Sequence, residues 1–323
     1  MEFKTRVTEI LGIKYPIMCG GMQNVANPEL GVAIAEAGGL GMTNMTMFPD
    51  INDFRNAVHW MRQKTDKPFA VNISMIDESA NDKIKQYIDV CGEEGVNAIE
   101  TNGRDPKQFI DQIHGYGMKI IHKVPMPRHA LHVEKSGVDI VSIIGAEAAG
   151  HPSMNLISSS ILVNKAAKLC TIPVIGGGGV CDGASFLSML ALGAEGVVIG
   201  TRFINATECK ISDNHKQWII DHQEMDTVIC QRVIKNIIRA AHNDAADECL
   251  RLEAQEGCDL ATLMPVISGQ VGKAAYESGD TSKGIFTVGQ DIGLIDDVKP
   301  AKQIIEDIIA EANAIMNKLN ALQ

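Results

Sequence analysis

From residue 15 to residue 200, short apolar runs alternate with amphipathic stretches, and glycine, asparagine or proline usually stands at the junctions. Such alternation predicts repeated strand and helix units. Strand-like runs occupy residues 16–19, 39–43, 69–73, 98–101, 119–123, 139–143, 173–175 and 196–199. Helix-like stretches at 29–37, 51–62, 80–91, 127–135, 160–169 and 184–191 each space their apolar positions so that one stripe can be buried. Eight parallel strands with crossovers of this kind predict a (β/α)8 TIM barrel, although a repeat of about 25 residues also suits a doubly wound open sheet.

After Phe203 the alternation stops. From about 214 to 275 the apolar spacing in WIIDH, VIKNIIRAAH and CLRLEA reads as helical, and residues 299–322 again carry a helical apolar stripe. The expected organisation is therefore a barrel formed by 1–204 and 286–323, its last helix docking back on it. A helical lobe, 205–285, is expected over the active-site side. No linker is long or polar enough to separate independently folding parts.

Composition narrows the partners. Forty acidic residues against 29 basic ones give a net charge of −11, which repels nucleic-acid phosphates and anionic lipid, and no local basic patch offsets it. The chain starts MEFKTRVTE, charged rather than basic-then-apolar, and no run approaches the ~18 apolar residues of a membrane span. These features predict a cytoplasmic protein acting on a small molecule, with homodimerisation left open. Eight cysteines without a CxxC pair or zinc-type spacing predict neither a disulfide framework nor a metal knot.

In a barrel, functional groups gather where strands run into the following helices. Those junctions read CGGM (19–22), VNIS (71–74), IHK (121–123), GAEAAGHPS (145–153), GGGG (176–179) and GTR (200–202). The glycine run and the following Gly200-Thr201 can present backbone N–H groups to one phosphate, as loops after the seventh and eighth strands often do. The same glycines also suit tight turns alone. His129 and His132 stand three residues apart as a possible metal pair, but no third ligand is evident and an outer-helix position is expected for them. Gln290, in TVGQDIG, can contact a ligand or stabilise a turn.

The motifs TRVTEILGIKYPIMCGGM, AEAGGLGM, KPFAVNIS, GAEAAGHPS, PVIGGGG, ALGAEGVVIGTRF and SGQVGKAAYESGDTSKG lie in order between residues 5 and 284, within a likeness that runs from about residue 5 to 297. With them the chain resembles the nitronate monooxygenase (2-nitropropane dioxygenase) family, whose wider relatives include NADH-dependent quinone reductases and flavin enoyl-thioester reductases. The resemblance implies FMN. It places Gly21, Met22, Gln23 and Ser74 along the flavin and Lys123 near the pyrimidine side of its ring. Gly177, Gly178, Gly179, Gly200 and Thr201 fall at the phosphate. Ala149 and Gly150 fall where the backbone passes close to the ring, with His151 at its reactive edge as the catalytic residue. A positive group beside the ring stabilises negative charge there, and a histidine can move a proton or hold an anion near neutral pH.

Three positions depart from the commoner family pattern: Cys19 for glutamine, Ala149 for glycine, and Ser153 for the glycine after HP. Ile144 stands where some relatives carry an acid. The implied activity is oxidation of an alkyl nitronate with O2 to a carbonyl compound and nitrite. The rival is an NAD(P)H-dependent quinone or enoyl-thioester reductase using the same flavin site. A flavin-storing protein without turnover is the third reading.

Overall fold

A computed structural model describes residues 2–75 and 78–322. Eight parallel strands lie where the apolar runs predict them: β1 Ile17–Cys19, β2 Gly41–Asn44, β3 Phe69–Met75, β4 Ala98–Gly103, β5 Lys119–Val124, β6 Ile140–Ile144, β7 Val174–Gly177 and β8 Gly196–Ile199. They pair in sequence order from β2 to β8, and β8 pairs with β1 through Ile17↔Val197. A bridge between Met18 and Leu40 brings β1 beside β2 and closes the barrel. Most strand residues are buried, as expected when outer helices cover one face and the barrel interior fills the other.

The outer helices show why the amphipathic stretches were legible. Helix Ile51–Lys64 starts where the Asp50 side chain accepts the N–H groups of Asn52 and Asp53, and it buries Phe54, Val58 and Met61 at spacings of four and three. Helix Pro127–Ser136 carries His129 and His132 on the outside, where His132 meets Asp105 at 2.8 Å. Among the described residues no His, Cys, Asp or Glu group is arranged to hold a metal, and no helix is long and apolar enough to cross a membrane.

The barrel's last outer helix comes from the chain's end. Helix Ala301–Asn320 lies against helices Gly183–Ala191 and Pro28–Glu36. Contact is so close at Gly183 that a Cβ there would stand 2.4 Å from the Ala312 nitrogen, so only glycine fits. The Gly183 N–H also donates to Glu311 at 2.8 Å.

Between β8 and that helix lie helices Asp213–Asp221, Asp244–Glu253, Leu260–Ile267 and Gly269–Ser278, which match the helical reading of WIIDH and CLRLEA. VIKNIIRAAH does not follow that reading. Its end forms β10 Ile238–Ala241, paired antiparallel with β9 Thr227–Cys230. Gln231 and Lys235 take left-handed φ values of 66° and 56°, which interrupt a helix and turn the chain into a hairpin. All four residues of β10 are buried, so no in-out alternation marks it as a strand.

Three buried ionisable groups give the fold a pH dependence. His122 bonds the Thr101 hydroxyl at 2.7 Å, and His215 is boxed by the rings of Tyr276 and Phe286 with neither nitrogen partnered among the described residues. Burial lowers both imidazoles to about 4. Unfolded, they titrate near 6.5, so between these values the unfolded chain binds more protons and stability falls as pH falls. Asp291 acts oppositely. Burial raises its carboxyl to about 6, so its contribution is complete below the unfolded value and is lost as pH rises through 6. Two imidazoles outweigh one carboxyl, and a net loss of about 3 kcal/mol is expected from pH 6.5 to 4. Urea unfolding across this range checks it, with His215→Phe expected to flatten the slope; stability that is constant or rises toward acid contradicts the assignment.

Candidate active site at the barrel mouth

The strand ends on the C-terminal face carry a ladder of amides and one acid. Asn44 Nδ2 donates to Asn72 Oδ1 at 3.0 Å, and Asn72 Nδ2 donates to Glu100 Oε2 at 2.5 Å and to Asn102 Oδ1 at 3.2 Å. Asn102 in turn donates to Ser74 Oγ at 3.3 Å. Glu100 is fully buried, and its second oxygen has no partner among the described residues. A Cβ on Gly21 would lie 2.4 Å from Asn72 and 2.5 Å from Glu100, so glycine alone lets the turn after β1 rest on this ladder. Met22 follows beside Gly200, while the exposed Gln23 reaches Gly269, whose carbonyl accepts Asn24 at 3.0 Å.

Strand register puts Ser74, Asn102, Lys123 and Ser142 on one row of adjacent strands. Lys123 is half-buried. Its positive charge is felt at His151, on the neighbouring loop.

The loop 145–153 is held from two sides. On the barrel side, the Glu147 carboxylate accepts the Ser159 N–H at 3.0 Å and its hydroxyl at 2.7 Å, while the Glu147 carbonyl accepts the Gln290 N–H at 2.9 Å. Gln290 thus braces this loop through its backbone. On the other side the β9–β10 hairpin grips it. Gly150 and Arg239 exchange backbone hydrogen bonds of 3.1 and 2.7 Å, and the buried Arg239 guanidinium donates to the Ala146 carbonyl at 2.8 Å and to Thr227 Oγ1 at 2.7 Å. Gly150 has a left-handed φ of 73°, with nothing within 4 Å of where its side chain would be. Ala149 precedes it, half-buried.

His151 Nδ1 stands 2.9 Å from the Ile237 carbonyl oxygen. A carbonyl only accepts, so Nδ1 carries the hydrogen and the neutral ring's lone pair lies on Nε2. The residue keeps an edge open to solvent, yet its nitrogens are surrounded closely enough that burial lowers its pKa, and the Lys123 charge lowers it further against the pull of backbone hydrogen bonds to Ile237 and Asn236. At neutral pH the ring is a base. Two residues on, the Ser153 hydroxyl is buried without a partner among the described residues.

After β7, Gly178 and Gly179 take left-handed φ values of 97° and 72°. Their N–H groups have no acceptor within the described part of the chain. Gly177 is packed against Val198, and Gly200 has only Met22 near it. Thr201 is already engaged: its hydroxyl accepts the Gly289 N–H at 3.0 Å and bonds the buried Asp291. Unclaimed N–H groups beside open glycine backbone are the donor set a phosphate requires, so the residues present fit one.

Fold and mouth define a TIM barrel whose strands carry their buried polar groups at the C-terminal ends, the face on which barrels of this kind build their sites. The family model described as nitronate monooxygenase matches residues 4–311. The chain belongs to that family and is a flavin-dependent oxidoreductase. It is 28% identical to the (3aS,4S,5R,7aS)-5-hydroxy-7a-methyl-1-oxo-octahydro-1H-indene-4-carboxyl-CoA dehydrogenase of Rhodococcus jostii (strain RHA1), with 99% of each chain covered. It is 26% identical to a probable nitronate monooxygenase of Staphylococcus saprophyticus, covering 98% of this chain and 100% of the relative. FabK from Thermotoga maritima superposes with a TM-score of 0.91 at 35% identity over 99% of both chains.

The sequence reading missed Asn72, Glu100 and Arg239. A lone amide or acid inside an otherwise apolar strand is the signal that points to the first two.

Proposed function

We propose that the chain is an FMN-dependent oxidoreductase of the nitronate monooxygenase type, which oxidises alkyl nitronates with O2 to a carbonyl compound and nitrite. One observation carries the reading: His151 is fixed with Nδ1 donating to Ile237 and its pKa lowered, which leaves Nε2 as an unprotonated base at the mouth. Such a base takes the α-proton of a neutral nitroalkane and so forms the nitronate in place. Bound FMN supplies the electron acceptor for the substrate and the donor for O2.

Gly177, Gly178, Gly179, Gly200 and Thr201 hold the phosphate in this proposal. Thr201 contributes its N–H, since its hydroxyl serves Gly289 and Asp291. Gly21, Met22, Gln23 and Ser74 line the ring, Ala149 and Gly150 admit its close approach, and Lys123 stabilises negative charge on the pyrimidine side. Residues 205–285 form a lobe that shapes the pocket around a barrel of 1–204 and 286–323.

The second reading is an NAD(P)H-dependent reductase acting on a quinone or an enoyl thioester. It draws on the 28% identical relative whose name gives a carboxyl-CoA substrate. Delivery of a proton is less suited to a neutral His151 whose Nε2 bears none. Anaerobic mixing separates the two: bleaching of the flavin by an alkyl nitronate and not by NADH or NADPH supports the proposal, and rapid bleaching by a nicotinamide overturns it.

Arg239 is a positioning residue for this chemistry. Arg239→Met keeps the stem and removes the guanidinium from the Ala146 carbonyl, so the His151 loop loosens without losing FMN. Turnover is expected to fall about ten- to a hundredfold, with Kd for FMN within about twofold of wild type and the pH profile of kcat/KM displaced toward the ordinary imidazole range. An unchanged pH profile removes Arg239 from the positioning of His151.

A further inference from the structure

We infer that Cys230 and Cys249 form a reversible dithiol–disulfide couple, an oxidative modification site in the small core behind the β9–β10 hairpin. That core consists of five fully packed side chains, Cys230, Ile238, Ala246, Cys249 and Leu263, and two of them are thiols. Cys230 ends β9, and its sulfur lies 3.8 Å from the Ala246 carbonyl oxygen. Ala246 stands one turn before Cys249 on helix Asp244–Glu253. One turn after Cys249, Glu253 Oε2 accepts the Cys249 thiol at 3.9 Å and also the N–H of Gln231 at 2.7 Å. Gln231 follows Cys230 directly, so contacts on both sides place the two sulfurs against one helix face, where each thiol perturbs the ionisation of the other. The remaining cysteines 19, 91, 170, 181 and 209 pack in or against the large barrel core, while Cys258, on the loop after helix Asp244–Glu253, is partly buried against the small core but is not one of its five buried side chains.

Metal binding is the other use of paired thiols, and no grouping of three ligands exists here among the described residues. A satellite core this small also opens locally more readily than the barrel, which gives a small oxidant access. Hydrogen peroxide is the oxidant in this proposal. The Cys249 thiol passes its proton to Glu253, and the sulfur attacks one peroxide oxygen. The O–O bond breaks, and the departing hydroxide takes up that proton as water. Cys230 then attacks the Cys249 sulfenic sulfur, the S–O bond breaks, and hydroxide leaves with the Cys230 proton as a second water. The two sulfurs lose two electrons and peroxide gains them. The new bond staples the hairpin that carries Ile237 and Arg239 to its supporting helix.

The test uses the full chain, reduced and then freed of reductant, with and without hydrogen peroxide, followed by alkylation under denaturing conditions and peptide mapping. Two of the eight thiols are expected to resist alkylation after peroxide, in one linked peptide joining Cys230 to Cys249 that dithiothreitol releases. Cys249→Ser and Cys249→Ala should each leave Cys230 open to alkylation. The wild-type map decides the matter even if both variants fold poorly. Eight alkylated cysteines after peroxide, a different linked pair, or Cys249 accumulating as sulfinic acid beside a free Cys230 overturns the inference.

Discussion

Replacing His151 with glutamine is expected to lower kcat/KM for a neutral nitroalkane by about 10²–10⁴-fold, the usual contribution of a positioned base, while FMN stays bound. Glutamine can still donate to the Ile237 carbonyl that holds the imidazole, so the loop keeps its tether and the lost element is the Nε2 lone pair. Preformed nitronate has already surrendered its α-proton, and its oxidation is expected to fall less than about fivefold. A large and equal loss on both substrates would instead make His151 a holder of the anion. No loss on either would take it out of the chemistry.

The wild-type pH profile tests the same assignment without a mutation. The His151 pKa is lowered by burial and by Lys123, so the base form is present above that lowered value and is lost only as pH falls through it. For the neutral nitroalkane, kcat/KM should rise with pH below the ordinary imidazole value of about 6.5 and be level by neutrality. A cationic anion-holder predicts the reverse slope. Lys123→Met should move the rising limb toward higher pH, since one of the two influences depressing the imidazole is removed.

The barrel was legible because its strands satisfy a simple physical demand. Helices cover their outer faces and neighbouring side chains fill the interior, so each reads as a short apolar run, and glycine, asparagine or proline marks where it must turn. The glycine loop after β7 was legible for a related reason: left-handed φ at Gly178 and Gly179 favours glycine. The amide ladder was hidden because it exists only across strands. Asn72 touches Asn44 and Glu100 through register, and one residue of slip would turn each to the other face.

Arg239 was hidden for a different reason. Its segment spaces isoleucine, valine and alanine much as a helix does, and the local order of residues does not reveal that Gln231 and Lys235 turn left-handed. The β-branched run VIKNII gives no cue either, since only its Ile238 lies in β10 and the rest falls in the turn before it. Misreading that segment also concealed the clamp on His151, because Ile237 and Arg239 both belong to it. The Thr201–Asp291 contact joins distant parts of the chain, and only the docking of the segment after the lobe brings them together.

Gly178→Ala is expected to weaken FMN binding about a hundredfold. The backbone there has φ of 97°, a conformation that costs an L-residue about 1–2 kcal/mol. A Cβ would also lie 2.7 Å from Ser159 Oγ, 3.1 Å from the Gly145 nitrogen and 3.2 Å from the Ala148 nitrogen. The serine can swing away, but the two backbone nitrogens belong to the loop braced by Glu147 and Arg239, so the turn after β7 must move instead. Displacing its N–H groups from the phosphate and adding the strain together approach about 3 kcal/mol, and each ~1.4 kcal/mol is tenfold in Kd. Gly179→Ala is the internal control. It has a similar φ of 72°, but its nearest neighbour would be Glu147 Cβ at 3.5 Å, an ordinary contact, so strain alone predicts a loss of about tenfold or less. Fluorescence titration of the apoprotein with FMN and with riboflavin reads both effects and separates them from misfolding. Riboflavin lacks the phosphate, so Gly178→Ala should erase most of the preference for FMN while leaving riboflavin affinity within about threefold. If that variant binds FMN as tightly as the wild type, the phosphate is not held by this turn, and the placement of the ring beneath His151 loses its anchor.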